Sequence, residues 1–250
     1  TAAIARHTNA FKINEDVVIP LDRLGDYSDG IERINIELSI ANKLKLLDQL
    51  AQFFHGTLPV DGTDAPTLSN AELVGDRRDA ALQTIEKVRE RWQWIFDNLD
   101  AAFEMYLTGY PGAPLEKDLA QEETPQSVFH ALRDFVLRVS WKREVLAELE
   151  QLFSGKTDQP IIKAVTAIHQ KVLRGRAFVA LHMHAGDGNV HTNLPVNSDD
   201  YEMLQTAHKA VARIMELARG LNGVISGEHG IGITKLEFLH DDEISPFVDY

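Results

Sequence analysis

The feature that most constrains this chain is a turn set between two short runs of alternating residues. An apolar run opens at Phe178 to Leu181, Gly186-Asp187-Gly188-Asn189 is a strong turn signal, and Val190 to Val196 alternates again. Together they predict a β-hairpin. Closure at Asp187-Gly188 would set Gly186 opposite Asn189, Ala185 opposite Val190 and His184 opposite His191. Cross-strand β-carbons lie about 4.5–5.5 Å apart on one face, so two imidazoles converge there. Period-two alternation puts His182 and Asn193 on that face, while Leu181, Met183, Thr192 and Leu194 point the other way.

Other elements are placed around the hairpin by period and punctuation. Residues 15–20 (EDVVIP) suit a strand, and Ile31, Ile34, Leu38, Leu44, Leu47, Leu50 and Phe54 recur at helical steps. Residues 56–67 (GTLPVDGTDAPT) are rich in breakers and read as a loop. Long helices are expected from Ser69 to about Leu107 and from the Thr124-Pro125 cap to about Phe153, with a shorter one from Pro160 to Leu173. Ser198-Asp199-Asp200 offers an N-cap for a helix burying Leu204, Ala207, Val211, Ile214 and Leu221, stopped at Gly223 before a short strand at Val224-Ile225. Strand, helix, hairpin, helix and strand predict an α+β fold: a ferredoxin-like antiparallel sheet with packed helices and a long helical insertion. The expected division is 1–67 with 159–250 as one domain and 68–158 as the insertion.

Composition narrows the function classes. The 250 residues hold 38 acidic and 25 basic side chains, a formal net charge of -13, which repels phosphate backbones and argues against nucleic acid. With no cysteine there is no disulfide, thiol nucleophile or cysteine-bound cluster among these residues. No run approaches a membrane span and no signal pattern opens the chain, so it reads as cytoplasmic or at most peripheral at a membrane. It begins at Thr1 and ends on an acidic run, as a fragment of a longer protein would.

The chemistry concentrates near the hairpin. Of ten histidines, six fall between His182 and His240. His184 and His191 make half of a tetrahedral site, and a catalytic metal usually takes a third protein ligand and leaves a position open. Glu228, in the glycine-rich Ser226-Gly227-Glu228-His229-Gly230-Ile231-Gly232, is the candidate. His229 beside it is placed to act as a base. Two histidines and a carboxylate suit zinc, manganese or iron. His7, His55, His130, His169, His208 and His240 read as structural or surface residues. No P-loop, dinucleotide fingerprint, nucleophile elbow or paired-histidine metalloprotease helix is present.

The stretch His184-Ala185-Gly186-Asp187-Gly188-Asn189-Val190-His191 with Asn193, followed by Gly227-Glu228-His229-Gly230-Ile231-Gly232, resembles the C-terminal domain of FAD-linked oxidases of the vanillyl-alcohol oxidase superfamily. Within it, the two motifs are similar to those of the D-lactate, glycolate and D-2-hydroxyglutarate dehydrogenases. The resemblance implies that His184, His191 and Glu228 are metal ligands, that His229 is the catalytic base, and that Asn193 binds substrate. The strand ending at Pro20 is similar to the family's strand entering this domain, and Lys12 lies near its substrate-binding lysine. Arg6 lies too close to that strand to match the arginine that clamps the substrate carboxylate. The helical middle matches less well.

What the resemblance implies about activity is oxidation of a 2-hydroxy acid to a 2-oxo acid. Metal would polarise the hydroxyl, His229 would take its proton, and hydride would pass to FAD. The partners implied are a small 2-hydroxy acid, the flavin domain of the same parent chain and an electron acceptor. No glycine-rich pyrophosphate-binding segment lies in these residues, so the flavin domain is expected elsewhere in the parent, and the fragment alone is expected not to turn over. Two other readings stay open: a stand-alone metallohydrolase with the same ligands, and a helical interaction module without catalysis.

Overall fold

A computed structural model describes residues 10–60, 74–113, 115–117, 123–231 and 235–239; Arg6, His7 and His240 lie outside them. The chain divides into two compact units, Thr1–Asn35 with Ala177–Tyr250, and Ile36–Arg176.

The first unit is built on three antiparallel strands: β1 (Ala10–Val18), β2 (Ala180–His184) and β3 (Asn189–Asn197), in the order β1-β3-β2. β1 is longer than the run at 15–20, because all nine of its residues pair with β3, from Ala10 opposite Asn197 to Val18 opposite Asn189. The expected last strand shrinks to one antiparallel bridge between Val224 and Val18, whose N–H groups and carbonyls exchange bonds of 3.0 and 2.9 Å. Counting that bridge, the order across the sheet is 224, β1, β3, β2, all antiparallel, which is the ferredoxin-like arrangement. Val17, Val190, Leu194 and Val196 form the covered face, and the helix Tyr201–Gly220 packs on β1 and β3. Asp200 caps that helix by accepting the Met203 N–H at 2.9 Å. Ala207, Val211, Ile214 and Leu221 are buried as expected, and Leu204 is half-buried.

The hairpin register differs from the expected one by two residues. His182, not His184, stands opposite His191, and His184 stands opposite Asn189. The turn is four residues long, Ala185–Gly188, with Asp187 donating its N–H to the His184 carbonyl at 3.2 Å. Its exit is held by Gly188, with φ at 73°, whose carbonyl accepts the Ile19 N–H at 2.8 Å. A shift of two leaves every side chain on its original face. A β-carbon at residue 188 would sit 2.2 Å from the Ile19 carbonyl oxygen. Gly188→Ala is therefore expected to destabilise the first unit by about 1–3 kcal/mol. Faster hydrogen exchange along β2 and β3 would report it, and unchanged protection there would show that the turn tolerates the methyl.

The second unit is helical. The first helix, α1 (Leu24–His55), runs through the division, and α2 (Arg77–Asp97), α3 (Phe103–Gly109), α4 (Val128–Arg133), α5 (Ala147–Leu152) and α6 (Gln159–Arg174) follow. The expected boundaries at 67 and 159 thus fall inside this unit. The reason lies in its core, where Ile40, Leu46, Leu47, Leu50 and Phe54 of α1 and Ile161, Val165 and Val172 of α6 join Trp92, Phe103 and Phe153. A helix continuing across a division carries no breaker to mark it.

Two expected long helices are interrupted. Residues 98–102 leave the helix because Val128 and Phe129 donate N–H groups to the carbonyls of Ala101 and Leu99, while Phe103 donates to the Gln126 carbonyl. The segment from Thr124 opens with α4, capped by Ser127 rather than by Thr124. It breaks at Phe135, whose φ is 58°, and resumes through a π-helical stretch, Lys142–Leu146, into α5. No described helix is long and apolar enough to cross a membrane.

Candidate metal and proton-transfer site

Strand pairing sets out the open face of the first unit as rows. Asp16, His191 and His182 lie side by side, Asn14, Asn193 and Ala180 form the next row, and Val18, Asn189 and His184 the row on the other side. The ring centroids of His182 and His184 are 5.6 Å apart, those of His184 and His191 5.6 Å, and those of His182 and His191 6.4 Å. Past the Val224 bridge, the turn at 227–229 brings His229 within 5.2 Å of His191, centroid to centroid. Glu228 reaches in beside it, its Oε2 3.8 Å from His191 Nε2.

One donor atom each from His184, His191 and Glu228 lies within 4.8 Å of the others. Metal bonds of about 2.0–2.2 Å put tetrahedral ligand atoms about 3.4 Å apart, so gathering them around a cation takes movements of about 1 Å or less. Glu228 is exposed and free to make them. Donor types and spacing therefore fit a divalent cation. Asn193 shares the face, and its Oδ1 is buried without a hydrogen-bond partner. Lys12 is exposed on the same face but stands four residues along β1 from Asp16. At about 3.3 Å per residue that is about 13 Å, so the fold does not bring it into the cluster.

Sequence reasoning missed two residues here. Asp16 is fully buried, and its Oδ2 accepts the N–H groups of Gly227, Glu228 and His229 at 2.8, 2.5 and 3.0 Å. Lys235, also buried, donates its Nζ to Asp16 Oδ1 at 2.7 Å and to the Asp16 carbonyl at 2.8 Å. Burial alone would raise the Asp16 pKa, but Lys235 and the turn's N–H groups outweigh it and hold the carboxyl well below the usual range. Burial keeps Glu15, 3.6 Å from Lys235 Nζ, above its ordinary value despite that ammonium. The available signal was one acid, Asp16, alternating onto the histidine face of a strand otherwise read as apolar.

Among the described histidines outside the cluster, His130 bonds to Ser127 Oγ at 2.7 Å and His169 stacks on Trp141 at 4.8 Å, while His55 and His208 are exposed. They serve the scaffold and surface.

The α+β unit thus presents His184 and His191 on the open face of its antiparallel sheet, with Glu228 and His229 brought beside them by the turn at 227–229. The chain belongs to the family of FAD linked oxidases, C-terminal domain, whose model matches residues 117–244. It is 33% identical over 174 residues to the glycolate oxidase subunit GlcD of Bacillus subtilis, covering 70% of this chain and 34% of that protein. Over shorter stretches it is similar to a probable mitochondrial D-lactate dehydrogenase of Danio rerio (35% over 63 residues, 25% of this chain and 12% of that protein). It is also similar to a D-lactate dehydrogenase of Archaeoglobus fulgidus (45% over 58 residues, 23% and 12%). The chain thus spans about a third or less of these relatives. No solved structure matches it.

Proposed function

We propose that this chain is the substrate- and metal-binding part of a flavin-dependent dehydrogenase that oxidises a 2-hydroxy acid to a 2-oxo acid. The observation that carries the proposal is the convergence of His184, His191 and Glu228 on one space, with His229 beside them. Glycolate and D-lactate, the substrates in the relatives' names, share the 2-hydroxycarboxylate unit that such a site would grip.

When bound, the divalent cation, zinc or manganese first and iron after them, supplies Lewis-acid polarisation, and FAD on a domain of the parent outside this chain supplies the hydride acceptor. His184, His191 and Glu228 hold the cation. Asn193, in the row next to His191, is the polar side chain assigned to the substrate. His229 has Nδ1 3.9 Å from Asp16 Oδ1, which leaves Nε2 on the side away from the carboxylate. That nitrogen accepts the 2-hydroxyl proton, the C2 hydrogen leaves with its electron pair, and the C2–oxygen bond becomes the carbonyl of the 2-oxo acid. An electron acceptor would be needed to regenerate the oxidised flavin.

Titration of the purified chain with Mn2+ and Zn2+ by calorimetry tests the ligand set. His184→Ala and Glu228→Gln are each expected to weaken binding by more than the about 10- to 100-fold that loss of an outer-shell partner costs. Parental affinity in both variants would remove these residues as ligands. Hydrolytic turnover by the metal-loaded chain alone would favour a hydrolase instead.

A further inference from the structure

Asp16 lies in the same row as His191, yet its carboxylate is turned to the protein and saturated there. Three consecutive N–H groups converging on one oxygen make the concave backbone turn that elsewhere binds anions. Here the anion is the chain's own carboxylate. Gly227 permits the approach, since a β-carbon at that position would lie 2.7 Å from Asn189 Oδ1 and 3.0 Å from Asp16 Oδ2. The turn belongs to no helix or strand, and both Glu228 and His229 are exposed.

We infer that Asp16, locked by Lys235, is the positioning residue that fixes the Glu228-His229 turn over the hairpin histidines, an inference that rests on the metal-site reading above. The two carboxylate oxygens divide the work: Oδ2 holds the turn's backbone, and Oδ1 holds Lys235. A charged acceptor is required at both. An asparagine would have to aim its NH2 either at the three N–H groups or at the Lys235 ammonium, donor against donor in both cases. In a buried site neither orientation can be relieved by water. One residue thus orients a metal ligand and a base that are adjacent in sequence and have different tasks.

The test is Asp16→Asn in this chain, read by amide hydrogen exchange at 227–229 and by calorimetric affinity for Mn2+ and Zn2+. Exchange at 227–229 is expected to speed up while the β2–β3 amides stay protected, and metal binding to weaken by about 10- to 100-fold. Parental exchange at the turn together with parental affinity would overturn the inference. If the parent chain binds neither metal and the variant still loses protection at 227–229, the metal-site reading fails and the turn-holding role stands. Should Asp16→Asn fail to fold, Lys235→Met keeps the acceptor and removes only the lock. Faster exchange at 227–229 and weaker metal binding than in the parent chain are expected for it, and parental values would overturn the inference.

Discussion

His229→Asn, made in the flavin-bearing holoenzyme, is expected to slow flavin reduction by D-lactate or glycolate by about 100- to 10,000-fold, the usual contribution of a positioned base. That corresponds to about 3–5 kcal/mol of barrier. The substitution removes the ring and leaves the backbone N–H that Asp16 accepts at 3.0 Å. The turn should therefore stay in place and Glu228 keep its position. Metal affinity is accordingly expected to change less than tenfold, about 1.4 kcal/mol. The split between a large kinetic loss and a small binding loss identifies a base rather than a ligand. Near-parental flavin reduction would remove His229 from the proposed mechanism, and a collapse of metal affinity would recast it as a ligand.

The second large effect belongs to the helical unit. Arg91 and Glu144 have side chains only 9% and 11% exposed and form an ion pair. Arg91 Nε donates to Glu144 Oε1 at 2.8 Å, and its Nη2 donates to the Arg138 carbonyl at 3.2 Å. Glu144 also accepts the Trp92 indole N–H at 3.2 Å and the Ser140 N–H at 2.7 Å. Removing one partner leaves a buried charge uncompensated, so Arg91→Met is expected to destabilise this unit by about 3–5 kcal/mol. Adding Glu144→Leu should restore much of that, because a buried pair replaced by apolar residues is often neutral. The three tryptophans, Trp92, Trp94 and Trp141, all lie in this unit, so denaturation followed by their fluorescence reports on it. A loss under about 1 kcal/mol would mean that the pair behaves as a surface one.

Much of the first unit was legible locally. The hairpin, the Asp200-capped helix and the grouping of His182, His184, His191 and Asn193 on one face follow from period, turn residues and capping, which act over a few positions. The register was misread by two because Gly188 closes a four-residue turn tied to Ile19, a partner far away in sequence. The helical segments were overextended for a related reason. Residues 99–103 spend backbone groups on 126–129, and Phe135 takes a positive φ, neither of which interrupts the apolar stripe.

The same distinction runs through the site. Which side chains share a strand face, and which glycine-rich turn carries Glu228 and His229, depends on neighbours in the chain and is readable from residue order. That this turn comes to His191, and what keeps it there, depends on contacts between distant segments of the folded chain. Asp16 reaches across more than two hundred residues to three backbone N–H groups, and Lys235 neutralises it in a site closed to water. A buried charge is tolerated only where such partners meet, and their meeting is a property of the packed fold.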